Sequence, residues 1–172
     1  MSEPVPAPID PEVVPVGEVL AYVALGSNVG DRAAHLEHAF GAMDRAPGLR
    51  LLRRSSVFET APVGPPGQGP YLNAVAEVAT ARSPRGMLGV LLAIEAERGR
   101  DRSRESRHGP RTLDLDILAW GEACPGGTRS IDAPGLTVPH PRMGERPFVL
   151  DPLGELAPVL AERARAAGVH SR

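Results

Sequence analysis

The chain has 172 residues, 42% of them hydrophobic and 23% charged, with a net charge of −2, the balance of a soluble globular protein able to bury its own core. No apolar run approaches the ~20 residues of a membrane span, no basic-then-apolar leader opens the chain, and near-zero charge argues against a nucleic-acid-coating module. Its lone cysteine, Cys124, excludes an internal disulfide or a cysteine zinc cluster, and with all 19 basic residues arginine, Schiff-base chemistry and lysine-dependent phosphate loops are excluded too.

Residues 1–17 hold five prolines and little periodicity, and are expected to form a disordered tail ahead of a single domain over 18–172. A first strand is expected at 19–25, ended by Gly26, Ser27 and Asn28. Asp31 then caps a helix running to about Arg45, with Leu36, Phe40 and Met43 on one face. Residues 49–60 read as one strand, followed by a loop at 61–70 too rich in proline and glycine for regular structure. A third strand spans 71–81. Ser83 and Pro84 open a second helix that stops at Gly99. Residues 112–118 alternate as a strand should, and a short edge strand is expected at 129–132. Two short helices close the chain, from Arg146 to about Leu150 and from Leu156 to Ala167. The order strand–helix–strand–strand–helix–strand is the ferredoxin-like βαββαβ pattern of an α+β protein, an antiparallel sheet with helices packed on it in three α/β/α layers.

Asp114 and Asp116 are the strongest chemical signal. Residues two apart in a strand share a face, roughly 6.6–6.8 Å from each other, so Leu113, Leu115 and Ile117 enter the core while the two carboxylates look outward together. Such a pair is unfavourable without a cation between its members. Mg²⁺ is typically held by one or two carboxylates plus substrate phosphates. An isolated Asp-x-Asp is equally a solvated strand face, but Arg98, Arg100, Arg102, Arg104, Arg107 and Arg111 crowd the preceding segment. Guanidinium forks bind phosphate oxygens bidentately. Together the two features point to polyphosphate handling with a divalent metal. A metal-dependent phosphohydrolase and an arginine-loop nucleic-acid module are the competing readings.

Residues 107–117, Arg-His-Gly-Pro-Arg-Thr-Leu-Asp-Leu-Asp-Ile, resemble the signature of the 6-hydroxymethyl-7,8-dihydropterin pyrophosphokinase family. The segments 22–28, 56–62, 71–74 and 136–141 resemble the same family, in its order and spacing. The resemblance implies transfer of pyrophosphate from ATP to the hydroxymethyl-pterin, giving AMP and the pterin diphosphate, in folate biosynthesis. It implies two Mg²⁺ ions on Asp114 and Asp116, with Arg100 and Arg111 as catalytic arginines. Glu95, Arg102, Arg107, Arg111, His140 and Arg146 correspond to ATP contacts. Thr60, Val63, Tyr71, Asn73 and Phe148 correspond to the pterin site, the heterocycle lying between the two rings. His108 stands where the family usually has tryptophan. A cytoplasmic monomer acting on small molecules, with neither nucleic acid nor membrane as partner, is the accompanying expectation.

Overall fold

The computed structural model describes residues 8–121 and 129–169, so Cys124 lies outside the described residues. The elements are β1 (Val19–Ser27), α1 (Arg32–Arg45), β2 (Leu49–Arg54), β3 (Phe58–Thr60), β4 (Tyr71–Thr80), α2 (Pro84–Glu97), β5 (Asp114–Gly121), β6 (Ile131–Ala133), β7 (Leu136–Val138), α3 (Pro147–Leu156) and α4 (Pro158–Val169). The main sheet runs β2-β4-β1-β5, with β3 continuing beside β4, and every pairing is antiparallel. With β2 and β3 counted as one interrupted strand, this is the βαββαβ order, followed by the β6–β7 ribbon and two further helices.

Both long helices begin where their caps are written. Asp31 accepts from the Ala34 N–H at 3.0 Å, and Ser83 accepts from the Gly86 N–H at 3.0 Å with Pro84 in the first turn, so side-chain oxygens satisfy amides that have no partner within the helix. Leu36, Phe40 and Met43 of α1 and Met87, Leu91 and Ile94 of α2 bury against Val23, Leu25, Ala76 and Leu115 on one sheet face. On the other face Val149, Leu150 and Leu153 of α3 and Leu160 of α4 cover Tyr22, Val75 and Leu118. The sheet is thus the middle of three layers.

Four sequence expectations change. The strand expected over 49–60 is two strands, because the pairing sum shifts by one between Arg54↔Ala76 and Phe58↔Asn73. At that break the Ser55 hydroxyl accepts from the Val75 N–H at 2.8 Å, a side chain taking over a ladder bond. The strand at 129–132 is no edge of the main sheet; Ile131–Ala133 pairs with Leu136–Val138 in a separate ribbon. The first closing helix does not stop at Leu150 but continues through Pro152 to Leu156, where Pro152, Leu153 and Leu156 are buried, so burial outweighs a local stop signal. Finally, residues 8–17 of the expected disordered tail contain no helix or strand, yet Ile9 packs on the first core cluster and its N–H donates to Ser130 O at 2.8 Å.

Glu77 is a charge in a central strand. It is buried, takes both arms of the Arg53 fork at 3.0 and 2.7 Å, and accepts from the Tyr22 hydroxyl at 2.7 Å. Arg53 also donates to Leu156 O at 2.7 Å, tying β2 to the end of α3. The Arg53 hydrogen bonds, helped by Tyr22 and opposed by burial, hold the Glu77 carboxyl below the usual range. Its stabilisation is present above the ordinary glutamate pKa and is lost as pH falls through the lowered native value. Glu77→Ala is expected to cost about 2–3 kcal/mol, since it strands Arg53 and Tyr22. Glu77→Gln should flatten the acid limb of the stability curve, read by thermal melts between pH 3 and pH 7.

Candidate active site

The two aspartates sit where β5 leaves the cover of the second helix layer. Leu113, Leu115 and Ile117 are buried on the α1–α2 side, so the pleat turns Asp114 and Asp116 to the opposite face. Their partners across the ladder are Gly26 and Ala24, small residues that leave the space above β1 open. Beyond them Leu118 is an extra residue between the Val23↔Ile117 and Tyr22↔Ala119 pairs. That bulge restores Leu118 and Ala119 to the second core and Trp120 to the first.

Two cavities meet at Asp116. The first, about 380 Å³, is walled by Thr60 at the end of β3, Ala61 and Val63 of the proline-rich loop, Tyr71 and Asn73 of β4, and His108 and Arg111. Asp114, Asp116, Arg142, Glu145, Arg146 and Phe148 complete it. The second, about 270 Å³, is lined by Leu88, Arg102, Leu115, Asp116, Ile117, Leu136, Thr137 and His140. Phe148 lies under the Arg146 guanidinium, 5.8 Å from ring centre to Cζ, and the Asn73 amide donates to Thr60 Oγ1 at 2.7 Å.

Behind Asp114 lies a buried charge network. The Arg100 side chain, only 3% exposed, donates to Glu95 Oε1 at 2.7 Å, Asp114 Oδ1 at 2.6 Å and Leu113 O at 3.1 Å, and forks onto Glu105. Glu95 also receives Arg102 at 2.8 Å and the Leu115 N–H at 2.8 Å. Arg111 donates to the other Asp114 oxygen at 2.8 Å. Burial disfavours the ionised Asp114, but Arg111 and Arg100 outweigh it and its carboxyl lies below the usual range. Among the described residues Asp116 has no such clamp; His140 Nε2 and Arg146 Nη1 stand 3.8 and 3.9 Å away. Burial and the neighbouring Asp114 charge push Asp116 up to about 6. Burial and Arg146 push His140 down to about 4, so its imidazole is neutral at pH 7.

The residues singled out in the sequence separate into distinct places. Thr60, Val63, Tyr71, Asn73, Arg111, Arg146 and Phe148 all face the first cavity, and Arg102 and His140 face the second. Glu95 and Arg100 line neither and act from behind, through Asp114 and the β5 backbone. Arg107 is exposed and lines neither cavity. Arg104 pairs with Asp101, and Arg98 with His35.

Sequence reasoning missed Asn28. Its Oδ1 accepts from the Arg111 N–H at 2.8 Å, its own N–H donates to Arg111 O at 3.1 Å, and its amide donates to Gln68 Oε1 at 3.1 Å and Gly69 O at 3.3 Å. One side chain therefore joins the end of β1, the proline-rich loop and the arginine segment. Gln68 then donates to His108 O at 2.9 Å. Gly64, at φ 128°, faces that same carbonyl, with 2.7 Å from the Cβ position, so the two loops meet where a side chain has no room. Arg142 and Glu145 were missed as well. They project from a turn whose Gly144 rests against the α4 backbone at Ala164, again with no room for a Cβ.

The model of the 7,8-dihydro-6-hydroxymethylpterin-pyrophosphokinase (HPPK) family matches residues 22–158. The chain belongs to this family. It is 41% identical over 148 residues to the 2-amino-4-hydroxy-6-hydroxymethyldihydropteridine pyrophosphokinase of Bacillus subtilis, covering 86% of this chain and 84% of that one. It is 45% identical over 139 residues to the enzyme of the same name from Pseudomonas aeruginosa, covering 81% of each. Among solved structures it resembles a crystal structure titled HPPK-DHPS in complex with substrates, with TM-score 0.58 and 13% identity over 90% of this chain and 44% of that longer one. That likeness is one of fold. The HPPK match spans both cavities, from β1 to the start of α4.

Proposed function

We propose that the chain works as its family does, transferring pyrophosphate from ATP to 6-hydroxymethyl-7,8-dihydropterin to give AMP and the pterin diphosphate in folate biosynthesis. The observation that carries the assignment of roles is the pair of cavities sharing Asp116. Two substrates bound side by side, with a carboxylate at their junction, is the arrangement that direct transfer between them requires.

The first cavity takes the pterin. Tyr71 and Phe148 supply faces for stacking, and Asn73 with the loop at Thr60 and Val63 supplies donors and acceptors for the ring edge. The second takes the nucleotide, with Arg102 on its wall, Glu95 behind that wall and neutral His140 beside Asp116. Arg111 and Arg146 face the junction from the pterin side, where negative charge builds as the β-phosphorus changes partners. Arg107, at the surface, is the natural reach toward the phosphates from outside. The hydroxymethyl oxygen bonds to the β-phosphorus, the bond to AMP breaks, and the hydroxyl proton is released. No enzyme-bound covalent intermediate is needed.

The donor set fits Mg²⁺. Asp114 and Asp116 offer only hard oxygen atoms, and among the described residues no cation approaches Asp116 within hydrogen-bond distance. Among the described residues no third histidine, cysteine, aspartate or glutamate joins them as a group, so the remaining ligands come from phosphate oxygens and water. The metal, two ions by the family resemblance, supplies charge neutralisation of the triphosphate. No described helix is long and apolar enough to cross a membrane, and a cytoplasmic monomer is part of this proposal, checked by fractionation and sedimentation.

The decisive assay is product analysis of the purified chain with ATP, Mg²⁺ and 6-hydroxymethyl-7,8-dihydropterin. Equal amounts of AMP and pterin diphosphate are expected. ADP, or phosphate released without pterin, would overturn the reading. Phe148→Ala is expected to raise the KM for the pterin about tenfold through the lost stacking face, with nucleotide affinity unchanged in a direct ATP titration.

A further inference from the structure

The segment before β1 lies outside the residues that match the family, yet residues 8–12 are built into the molecule. Asp10, Pro11, Glu12 and Val13 form a turn: the Val13 N–H donates to Asp10 O at 3.1 Å and the Glu12 N–H donates to Asp10 Oδ1 at 2.8 Å. Aspartate followed by proline is the sequence such a turn favours. The turn presents the Pro11 carbonyl to the N-terminus of α2, where it accepts from the Arg85 N–H at 2.9 Å. The other early amides there are accounted for. Pro84 has no N–H, Gly86 donates to Ser83 Oγ, and Met87 donates to Ser83 O. Pro11 therefore completes the cap.

The same segment grips the β6–β7 ribbon. Ile9 packs on the first core cluster, which includes Ile131, Leu136 and Val138 of the ribbon. The Ile9 N–H donates to Ser130 O at 2.8 Å, just ahead of β6. Arg85 links the two holds: its Nη1 donates to Pro134 O in the ribbon's turn at 3.0 Å, and its Nε lies 3.4 Å from Glu12. Next to Pro134, Gly135, Leu136 and Thr137 line the second cavity, and Leu88, one turn along α2 from Arg85, lines it too. The strap thus ties together α2 and the β6–β7 turn, two elements that both contribute to the lining of that cavity.

We propose that residues 8–12, acting through Arg85, are a positioning element of the nucleotide site, setting the distance between α2 and the β6–β7 turn. This rests on the second cavity being the nucleotide's. Preorganised walls bind at less cost in ordering, so loosening them weakens nucleotide binding and leaves the pterin cavity untouched.

The test compares the full chain, a chain lacking residues 1–12, Arg85→Ala and Arg85→Lys in steady-state kinetics with each substrate varied, alongside direct ATP titration. The truncation and Arg85→Ala are each expected to raise the KM and the Kd for ATP about fivefold or more, roughly the loss of one hydrogen bond. The KM for pterin and kcat should stay within about twofold, and Arg85→Lys, which still donates to Pro134 O, should recover most of the affinity. If the truncated chain does not fold, the Arg85 pair decides alone. Lower melting temperatures with unchanged ATP affinity would overturn the proposal and leave the strap a staple only. Absence of turnover in the full chain would instead sink the functional reading beneath it.

Discussion

Asp116→Asn is expected to lower kcat about a thousandfold, the loss typical of removing a charge aimed at the transition state, while the protein folds as before. Asparagine keeps the shape and removes the charge. In the wild-type chain without metal, that charge is held at a cost, because burial and Asp114 push Asp116 up to about 6. The sign comes from proton counting. Between the ordinary aspartate pKa and about 6 the native state binds more protons than the unfolded chain, so this group makes stability fall as pH rises through that window. The variant should lose that slope and be no less stable than wild type at pH 7.5. Mg²⁺ should raise the wild-type melting temperature at pH 7.5, less at pH 5, and hardly at all in Asp116→Asn. A variant that keeps turnover within tenfold of wild type, or that gains as much from Mg²⁺, would remove Asp116 from the metal site.

Arg100→Met is the second large effect, and it falls on stability first. The side chain is 3% exposed and holds Glu95, Glu105 and Asp114 together with the Leu113 carbonyl. Methionine fills much of the volume and satisfies none of those acceptors, and removing one member of a buried ion pair costs about 3–5 kcal/mol. A drop in melting temperature of roughly 10 °C is expected for a chain of this size. Turnover should vanish with it, because Asp114 loses one of the two guanidinium groups that keep it ionised and oriented. Adding Glu105→Gln should return part of the stability and none of the activity. An arginine that merely touched phosphate would behave otherwise, with an unchanged melting temperature and a raised KM for ATP.

Much of this molecule is written locally. Asp31 and Ser83 mark their helices because a side-chain oxygen three residues ahead of a free amide is a local arrangement. The alternation from Leu113 to Ile117 separated core from site because a strand has period two, and the burial of those leucines obeys it. The five segments resembling the family were legible for the same reason, being short runs in a constant order, and membership rests on the match over residues 22–158. What escaped depends on partners distant in the chain. Asn28 looked like the end of a strand, but its partners are Gln68, Gly69 and Arg111. The family resemblance marked Arg100 as a catalytic arginine, but only the fold shows it buried behind Asp114 while Arg107 lies at the surface. Pro152 signals a stop locally, and α3 runs through it because Leu153 and Leu156 on its far side are buried. The proline-rich start carried no periodic signal, and its hold on α2 and the β6–β7 ribbon consists of single hydrogen bonds to residues far along the chain. The sequence by itself determined the layered fold, the family and the carboxylate pair, all carried by short-range patterns. Tertiary structure decided which charges are buried and which loops touch, because desolvation and long-range hydrogen bonds exist only once the chain has closed on itself.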